Sequence, residues 1–310
     1  MKQKSKNNKQ RVARSPFGYF GSKHRIALPL IKYIPPHNAW VDAFCGSAAM
    51  TFAKSPAKIE IINDINGEIV NFFKQLRKNG DGLCREIAMT PYARQELVLA
   101  RLHKKKLSSL ERARRFLVSS MMAINGIFGE ERGGFSYSNS YSRDGKEARV
   151  SRWYNLPARL QSIIERLRHV RIENKDAREL IKAFLKRPAT LLYLDPPYLA
   201  ERTKGYEFDQ NDKKFHKDLL KLVRRAKCMV MISSYDSDLY KSMLTEDLGW
   251  KQVKIATHTR GSNGKRMTRT EILWLNKPCV EARKLKRVPI KLTKKENKLG
   301  KINPIKKRTH

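Results

Sequence analysis

Between Ala39 and Lys78 the chain runs strand, tight turn, helix, strand, acid, helix, and this order constrains its fold more than any other feature. Ala39 to Phe44 is a short apolar run that leads into Cys45-Gly46-Ser47-Ala48-Ala49, a small-residue turn opening a helix. Lys58 to Asn63 is β-branched and ends at Asp64, after which the pattern predicts a helix from about Gly67 to Lys78. That is the order of a nucleotide-binding βαβ unit.

The same alternation resumes near His169, with a strand to Glu173, then Asp176, a helix, and a strand over Leu191–Asp195. Cys228 to Ser233 reads as another buried strand, and Trp250–His258 and Met267–Asn276 as two closing strands around the loop 260–265. Between the two α/β halves, from about Gly80 to Arg166, the pattern turns helical and strongly basic. Ser108-x-x-Glu111 there is a capping-box signature. Behind it Ala113, Phe116, Leu117, Ser120, Met121 and Ile124 recur at helical spacing, a stripe expected to pack in the core. Arg112, Arg114 and Arg115 lie off that stripe, on a face that is either solvated or phosphate-contacting, and residues 125–141 read as a loop or irregular hairpin.

The run Leu191-Leu192-Tyr193-Leu194-Asp195-Pro196-Pro197-Tyr198 carries the chemistry. Proline has no N–H and a fixed φ, so two in succession stop the strand and leave carbonyl oxygens without local donors. A carboxylate beside a bare carbonyl makes an acceptor pair for an exocyclic NH₂, and Tyr198 could stack on a flat base. Read by itself the run also fits a strand end with a tyrosine capping the core, and only its context decides.

Charge points to the partner. The 310 residues hold 66 Lys and Arg against 29 Asp and Glu, a net +37, which implies a polyanion and nucleic acid first. No apolar run approaches ~18 residues, so no membrane segment is expected. The basic N-terminus has no apolar stretch behind it that would make a signal peptide. Cys45, Cys84, Cys228 and Cys279 form no close pair and no metal-ligand spacing, and read as reduced thiols with no metal site. Residues 1–14 carry six Lys or Arg and are expected to be a flexible basic arm. Residues 281–310, with twelve Lys or Arg against two Glu, are expected to be a disordered basic tail.

With these motifs in order, residues 15–276 resemble the Dam-related (D12 class) DNA adenine-N6 methyltransferases. The resemblance rests on Pro16-Phe17-Gly18-Tyr19-Phe20-Gly21-Ser22-Lys23, the Asp42-x-Phe44-x-Gly46 turn, Asp64, and Asp195-Pro196-Pro197-Tyr198. It implies a Rossmann-like α/β sheet dependent on S-adenosylmethionine, formed by residues 15–79 and 167–280. An inserted, mainly helical DNA-recognition domain would occupy 80–166. Asp42, Phe44 and Gly46 would form the turn along the amino-acid end of the cofactor, and Asp64 would meet its ribose hydroxyls. As a residue read alone, Asp64 is also a helix N-cap. Asp176 resembles the acid that meets the cofactor's adenine amino group, and equally fits a cap for the helix starting at Ala177. Tyr19 stands where relatives place an aromatic near the cofactor, and Lys23 resembles the lysine at the cofactor–substrate junction. Ala48 and Ser22 stand where the family often has glycine.

The reaction implied is methyl transfer to adenine N6 in double-stranded DNA. Hydrogen bonds from the amine to Asp195 and the Pro196 carbonyl would localise a lone pair otherwise delocalised into the ring. Pro197 would fix that carbonyl, and Tyr198 would stack on a base flipped out of the duplex. In the insertion, Arg94, Arg101, Lys104, Lys105 and Lys106 could hold phosphates, while Asn125, Tyr137 and Asn139 could reach base edges. Each basic residue, taken singly, is better explained as a solvated side chain. Cytosine N4 is the alternative target, and a relative that binds DNA without catalysis the other reading. The resemblance further implies a cytoplasmic monomer, with a cognate restriction endonuclease as a partner it allows.

Overall fold

The computed structural model describes residues 15–18, 23–102, 106–124, 133–142, 145–199, 212–260 and 266–289. A 3₁₀ turn at Lys23–Arg25 and helix α1 (Ala27–Ile31) precede strand β1 (Ala39–Asp42) and helix α2 (Ala49–Ala53). Strand β2 (Ile59–Asn63) then leads into a helical stretch, α3 (Gly67–Lys78), α4 (Gly80–Met89), α5 (Arg94–Arg101), α6 (Ser109–Met122), α7 (Ala148–Tyr154) and α8 (Leu156–Leu167). Strand β3 (Val170–Glu173), α9 (Ala177–Phe184), β4 (Thr190–Leu194), α10 (Lys213–Val223), β5 (Met229–Ser234) and α11 (Asp238–Met243) resume the alternation. A hairpin of β6 (Lys251–Arg260) and β7 (Arg266–Leu275), followed by α12 (Lys277–Leu285), completes the described chain.

The strands form one seven-stranded sheet in the order β3-β2-β1-β4-β5-β7-β6. The first five are mutually parallel and β7 inserts antiparallel between β5 and β6. The order reverses between β1 and β4, where the carboxyl ends of an open α/β sheet leave a ligand crevice. Register brings Asp42 level with Ile62 and Tyr193, and Asn63 level with Glu173. Asp42, Asp64, Asp176 and Asp195 therefore all lie along one edge of the sheet. β1, β4 and β5 are buried along their whole length because helices cover both faces. The expected Rossmann-like class is borne out.

The local chemistry explains the elements. Asn66 caps α3 by accepting from the Glu68 N–H at 2.8 Å, and Ile69, Val70, Phe72, Phe73 and Leu76 bury one face of that helix. Ser108 accepts from the Glu111 N–H at 3.1 Å and so caps α6 as expected. The stripe behind it is buried from Ala113 to Met121, but Ile124 is 46% exposed because α6 ends at Met122.

Residues 80–166 do not form a core of their own. Leu83, Ile87, Leu97, Phe116, Leu117, Trp153, Leu160 and Ile163 share one apolar cluster with Ile62, Phe72, Phe73 and Val170 of the sheet side. Phe17 is the hinge pin of this cluster, edge-on to Phe72 at 5.2 Å and to Phe116 at 5.0 Å. The segment is mainly helical, but it packs as an extension of one face of the sheet. The opposite face is covered by α9, α10 and α11, with Val41, Leu192, Val230, Ile232, Leu219 and Tyr240 in its core.

The tail boundary expected at 281 also moves. α12 crosses it, with Cys279 and Ala282 buried against the sheet. Asn276 starts that helix: its Oδ1 accepts from the N–H groups of Val230 and Cys279, and its Nδ2 donates to the Cys228 carbonyl. All four cysteines are free and buried. Among the described residues no helix is long and apolar enough to cross a membrane, and no group of three or more His, Cys, Asp or Glu is placed to hold a metal ion. The arm 1–14, residues 261–265 of the loop between β6 and β7, and the chain from 290 on lie outside the described residues.

Candidate active site

The turn after β1 is tied to the end of β2. Gly46 (φ 48°) and Ala48 (φ 51°) both adopt the left-handed conformation, which glycine takes without the clash a Cβ introduces. The Gly46 N–H donates to Asp64 Oδ2 at 2.8 Å, and Asp64 Oδ1 accepts from the Asn66 N–H at 2.9 Å. Asp64 is thus the clasp of the turn, and Asn66 is the α3 cap. Asn63 extends the same arrangement by donating to the Ala43 and Lys175 carbonyls and accepting from the Lys175 N–H. Sequence reading missed Asn63; its one signal is a polar pair, Asn63-Asp64, ending a β-branched run.

Asp42 sits beneath this turn, 2% exposed. Trp40 Nε1 donates to Thr51 Oγ1 at 2.8 Å, and Thr51 Oγ1 donates to Asp42 Oδ2 at 2.7 Å. Among the described residues no group hydrogen-bonds the buried Asp42 Oδ1. Burial pushes Asp42 up to about 7, the Thr51 hydrogen bond opposes this, and the charges of Asp195 and Asp64 add to it. Burial likewise raises Asp64 to about 6, against the hydrogen bonds from Asn66, Gly46 and Ile65.

Two further residues expected at the cofactor take other partners. The Phe44 ring packs edge-on against Phe215 of α10 at 6.2 Å, on the core side. Asp176 caps α9, accepting from the Arg178 N–H at 2.8 Å, and its carboxylate pairs with the Arg178 guanidinium at 2.6 Å. The Arg178 hydrogen bond holds Asp176 below the usual carboxylate range, against the effect of burial. Asp176 is thus the N-cap of α9. Tyr19 lies outside the described residues.

Asp195 follows directly on β4 and stands at the centre of a buried charge cluster. Lys23 Nζ is 2.7 Å from Asp195 Oδ1 and 3.3 Å from Glu271 Oε1. The Tyr198 hydroxyl donates within reach of Asp195 Oδ1, at 3.1 Å, and of Glu271 Oε1. Both contacts to Asp195 fall on Oδ1, while the side chain keeps 16% exposure. Burial pushes Asp195 up to about 6, Lys23 opposes this, and Glu271 reinforces it. The Lys23 ammonium lies 4.8 Å from the Tyr198 ring centroid, and the Tyr235 ring 4.4 Å from it at 67°. Pro196 is buried and Pro197 half-buried. Beneath the loop His216 is fully buried, its Nδ1 2.8 Å from the Tyr240 hydroxyl. Burial drives this imidazole down to about 4, against the Pro197 carbonyl, so it is neutral near pH 7. Glu271 was missed by sequence reading: it is a lone acid in an apolar strand, and only the register of β7 brings it to this edge.

On the basic segment, Arg94 lies over the Phe135 ring at 5.2 Å and Arg101 donates to the Gly133 carbonyl. These two arginines fasten the stretch that leads to Tyr137 and Asn139, both of which are exposed. Lys106 is exposed, and Lys104, Lys105 and Asn125 lie outside the described residues. Arg112 pairs with Glu68, Arg114 with Glu96 and Glu111, and Arg115 with Glu111, so this face of α6 is internally neutralised.

A doubly covered sheet with an acid-lined turn after β1 and an acid–proline–proline–tyrosine run after β4 defines a Rossmann-like methyltransferase. The chain belongs to the D12 class N6 adenine-specific DNA methyltransferase family, whose family model matches residues 19–258. It is 25% identical over 289 residues to a type II methyltransferase, M1.LlaDCHI, of Lactococcus lactis subsp. cremoris, covering 86% of this chain and 97% of that one. It is 27% identical over 119 residues to a DNA N-6-adenine-methyltransferase of Escherichia phage P1, covering 37% of this chain and 16% of that protein. Among solved structures, an rRNA methylase from Streptococcus thermophilus aligns with a TM-score of 0.32 at 10% identity, covering 82% of this chain and 94% of that one.

Proposed function

We propose that this chain transfers the methyl group of S-adenosylmethionine to N6 of an adenine turned out of double-stranded DNA, with Asp195 and the Pro196 carbonyl accepting the amine's hydrogens. The observation that carries this reading is the state of Asp195. It is a half-buried carboxylate at the carboxyl end of β4, with Oδ1 held by Lys23 and Tyr198 and some surface left open. An exocyclic amine is a poor nucleophile because its lone pair is shared with the ring. Two acceptors aimed at its hydrogens localise that pair and stabilise the positive charge that develops on nitrogen. Asp195 then takes the proton that N6 sheds. Tyr198 presents its ring to the target base while its hydroxyl stays engaged with the acids. A duplex hides N6 from any such pocket, so the base must leave the stack.

The turn suits a cationic cofactor. S-adenosylmethionine, when bound, supplies a methyl carbon on positively charged sulfur. At one edge of the sheet Asp42 is buried and Asp64 and Asp195 are half-buried, and all three are raised above the usual carboxylate range. Asp42 Oδ1 lacks a donor that a ligand ammonium would provide. Gly46 allows close backbone approach; Asp64 is proposed to meet the ribose and Asp176 the adenine amino group, Phe44 and Lys23 are proposed beside the cofactor, and Tyr19 is proposed from sequence alone. In this reading the acids ionise with cofactor bound. Affinity for S-adenosylmethionine should therefore rise about five-fold or more between pH 5.5 and pH 8, and less for uncharged-sulfur S-adenosylhomocysteine. Without ligand the sign reverses: raised carboxyls favour the protonated native state, and their contribution is lost as pH climbs through about 6 to 7. Calorimetric titration at the two pH values measures the first effect, and a flat profile would count against an acid-lined cofactor site.

Lys106, Tyr137 and Asn139 face solvent and are proposed DNA contacts, with Arg94 and Arg101 bracing the loop behind them; Lys104, Lys105 and Asn125 are proposed from sequence alone. Residues 290–310 hold eight Lys or Arg and one Glu. Removing them leaves α12 intact and should weaken duplex binding and flatten its salt dependence, because fewer counterions are released. An unchanged salt slope would show that this stretch does not touch DNA. Likeness to a named type II methyltransferase supports a role beside a cognate restriction endonuclease, and the cytoplasm and a monomeric working unit are proposed from sequence alone. The decisive experiment is nucleoside mass spectrometry on duplex DNA incubated with the protein and S-adenosylmethionine. N6-methyladenine is the expected product; N4-methylcytosine, or binding with no methylated product, overturns the reading.

A further inference from the structure

Glu271 lies at a junction of the fold. β7 pairs with β5 from Leu275 to Ile272, opposite Met231 to Ser234, so Glu271 is the first residue past the end of β5, paired to Ile255 of β6. The parallel strand β4 ends one position before Asp195. Because β7 runs antiparallel, the residue that clears β5 at the crevice edge is one that precedes the apolar part of the strand. The side chain is buried, 4% exposed, and meets Lys23 Nζ and the Tyr198 hydroxyl with the same oxygen, Oε1.

Charge counting in this pocket is simple. Two carboxylates, Asp195 and Glu271, share one ammonium, Lys23. Among the described residues the other groups that face Asp195 are Asp42 on β1, Tyr193 on β4, Tyr198 and Tyr240. Burial drives all three tyrosines well above neutrality, so they carry no charge during turnover. With Glu271 ionised the Lys23–Asp195–Glu271 cluster is net −1; without it the cluster is neutral, and Lys23 faces one acid of this pair in place of two.

We propose that Glu271 is a positioning residue for methyl transfer, dividing the Lys23 ammonium between two acids so that Asp195 stays an under-compensated anion opposite the amine. It also anchors the Tyr198 hydroxyl and thereby the ring offered to the base. Glu271 touches neither reacting atom; it acts through Lys23, Tyr198 and Asp195. The inference rests on the proposed reading of Asp195 as the amine's acceptor.

The test is the pH profile of single-turnover methyl transfer to duplex DNA by the full chain. Glu271→Gln should lower the plateau rate about ten-fold or more and move the acidic limb down by roughly half a pH unit or more, because a negative neighbour of Asp195 is lost. Glu271→Asp should keep the limb near that of the unmodified chain and recover part of the rate. A residue with only a packing role would lower rate and stability and leave the limb in place. If Glu271→Gln does not fold, the double variant Lys23→Met/Glu271→Gln carries the test, since it removes a buried pair together and restores the net −1. Its limb should return from the raised position of Lys23→Met towards that of the unmodified chain. An unmoved limb in Glu271→Gln, or a double variant that behaves as Lys23→Met, overturns the inference. If the unmodified chain makes no N6-methyladenine, the fault lies with the proposed function instead.

Discussion

Asp195→Ala should lower single-turnover methyl transfer by about a thousand-fold or more, the scale on which loss of one well-aimed electrostatic group acts. The fold should survive the change. Lys23 keeps Glu271 at 3.3 Å, so no buried cation is stranded. Removing a carboxyl that burial has raised to about 6 also relieves a desolvation cost at neutral pH. Binding of S-adenosylmethionine should be largely intact, because Asp42, Gly46 and Asp64 stand on other strands. The check is a labelled-methyl assay beside calorimetric titration of the cofactor. Turnover near that of the unmodified chain would remove Asp195 from the mechanism; joint loss of turnover and cofactor binding would make it a structural residue.

Glu60→Ala should cost about 3–5 kcal/mol of stability, the largest fall expected from a single side chain here. Glu60 is 2% exposed on β2. Its Oε1 accepts from Lys54 Nζ at 2.5 Å and from the Ala57 N–H at 2.9 Å, and Oε2 meets Arg166 of α8. Burial alone would raise Glu60, but Arg166 and Lys54 outweigh it and hold the carboxyl below its usual range. Lys54 is also shifted down, by burial first, despite its carboxylate partner. Both shifts are downward but opposite in meaning: the acid's charge is stabilised by its two cations, while the lysine's is penalised by burial and by the neighbouring Arg166. Deleting the acid therefore strands two cations, and urea unfolding with a two-state fit reads the loss. The depressed carboxyl adds stability above the unfolded value near 4 that disappears as pH falls through its lower folded value. The deficit of the variant should accordingly narrow in acid. A loss below about 1 kcal/mol at pH 7 would mean that water reaches the two cations.

Much of this was legible in the chain. α3 begins and ends where its pattern put it, at Gly67 and Lys78, because Asn66 caps an unbroken apolar face. The two closing strands were found within a few residues, since their alternation is bounded by polar turns. Asp42, Gly46, Asp64 and Asp195 were all drawn to one edge, as parallel strands require. What the chain did not show was the contacts these residues make inside the fold. Arg94 packs over Phe135 and Arg101 donates to the Gly133 carbonyl, and one basic side chain in a helix says nothing of the carbonyl or ring that packs above it. Asp64 clasps the Gly46 N–H, a contact that exists only once β1 and β2 are paired. Glu271 could not be placed without knowing how far β7 outruns β5.

The shared cluster around Phe17 bears on how such enzymes can change what they read. Phe17, Phe72 and Phe116 interlock the N-terminal segment, α3 and α6, so the stretch from Gly80 to Arg166 cannot be lifted out as a cassette and grafted onto a relative. A chimera joined at those boundaries would cut through one hydrophobic centre and leave apolar faces mismatched on both sides. On the proposed reading of Tyr137 and Asn139 as DNA contacts, new sequence preference is more readily gained by exchanging those exposed side chains and leaving Phe135, which packs against the shared cluster, in place.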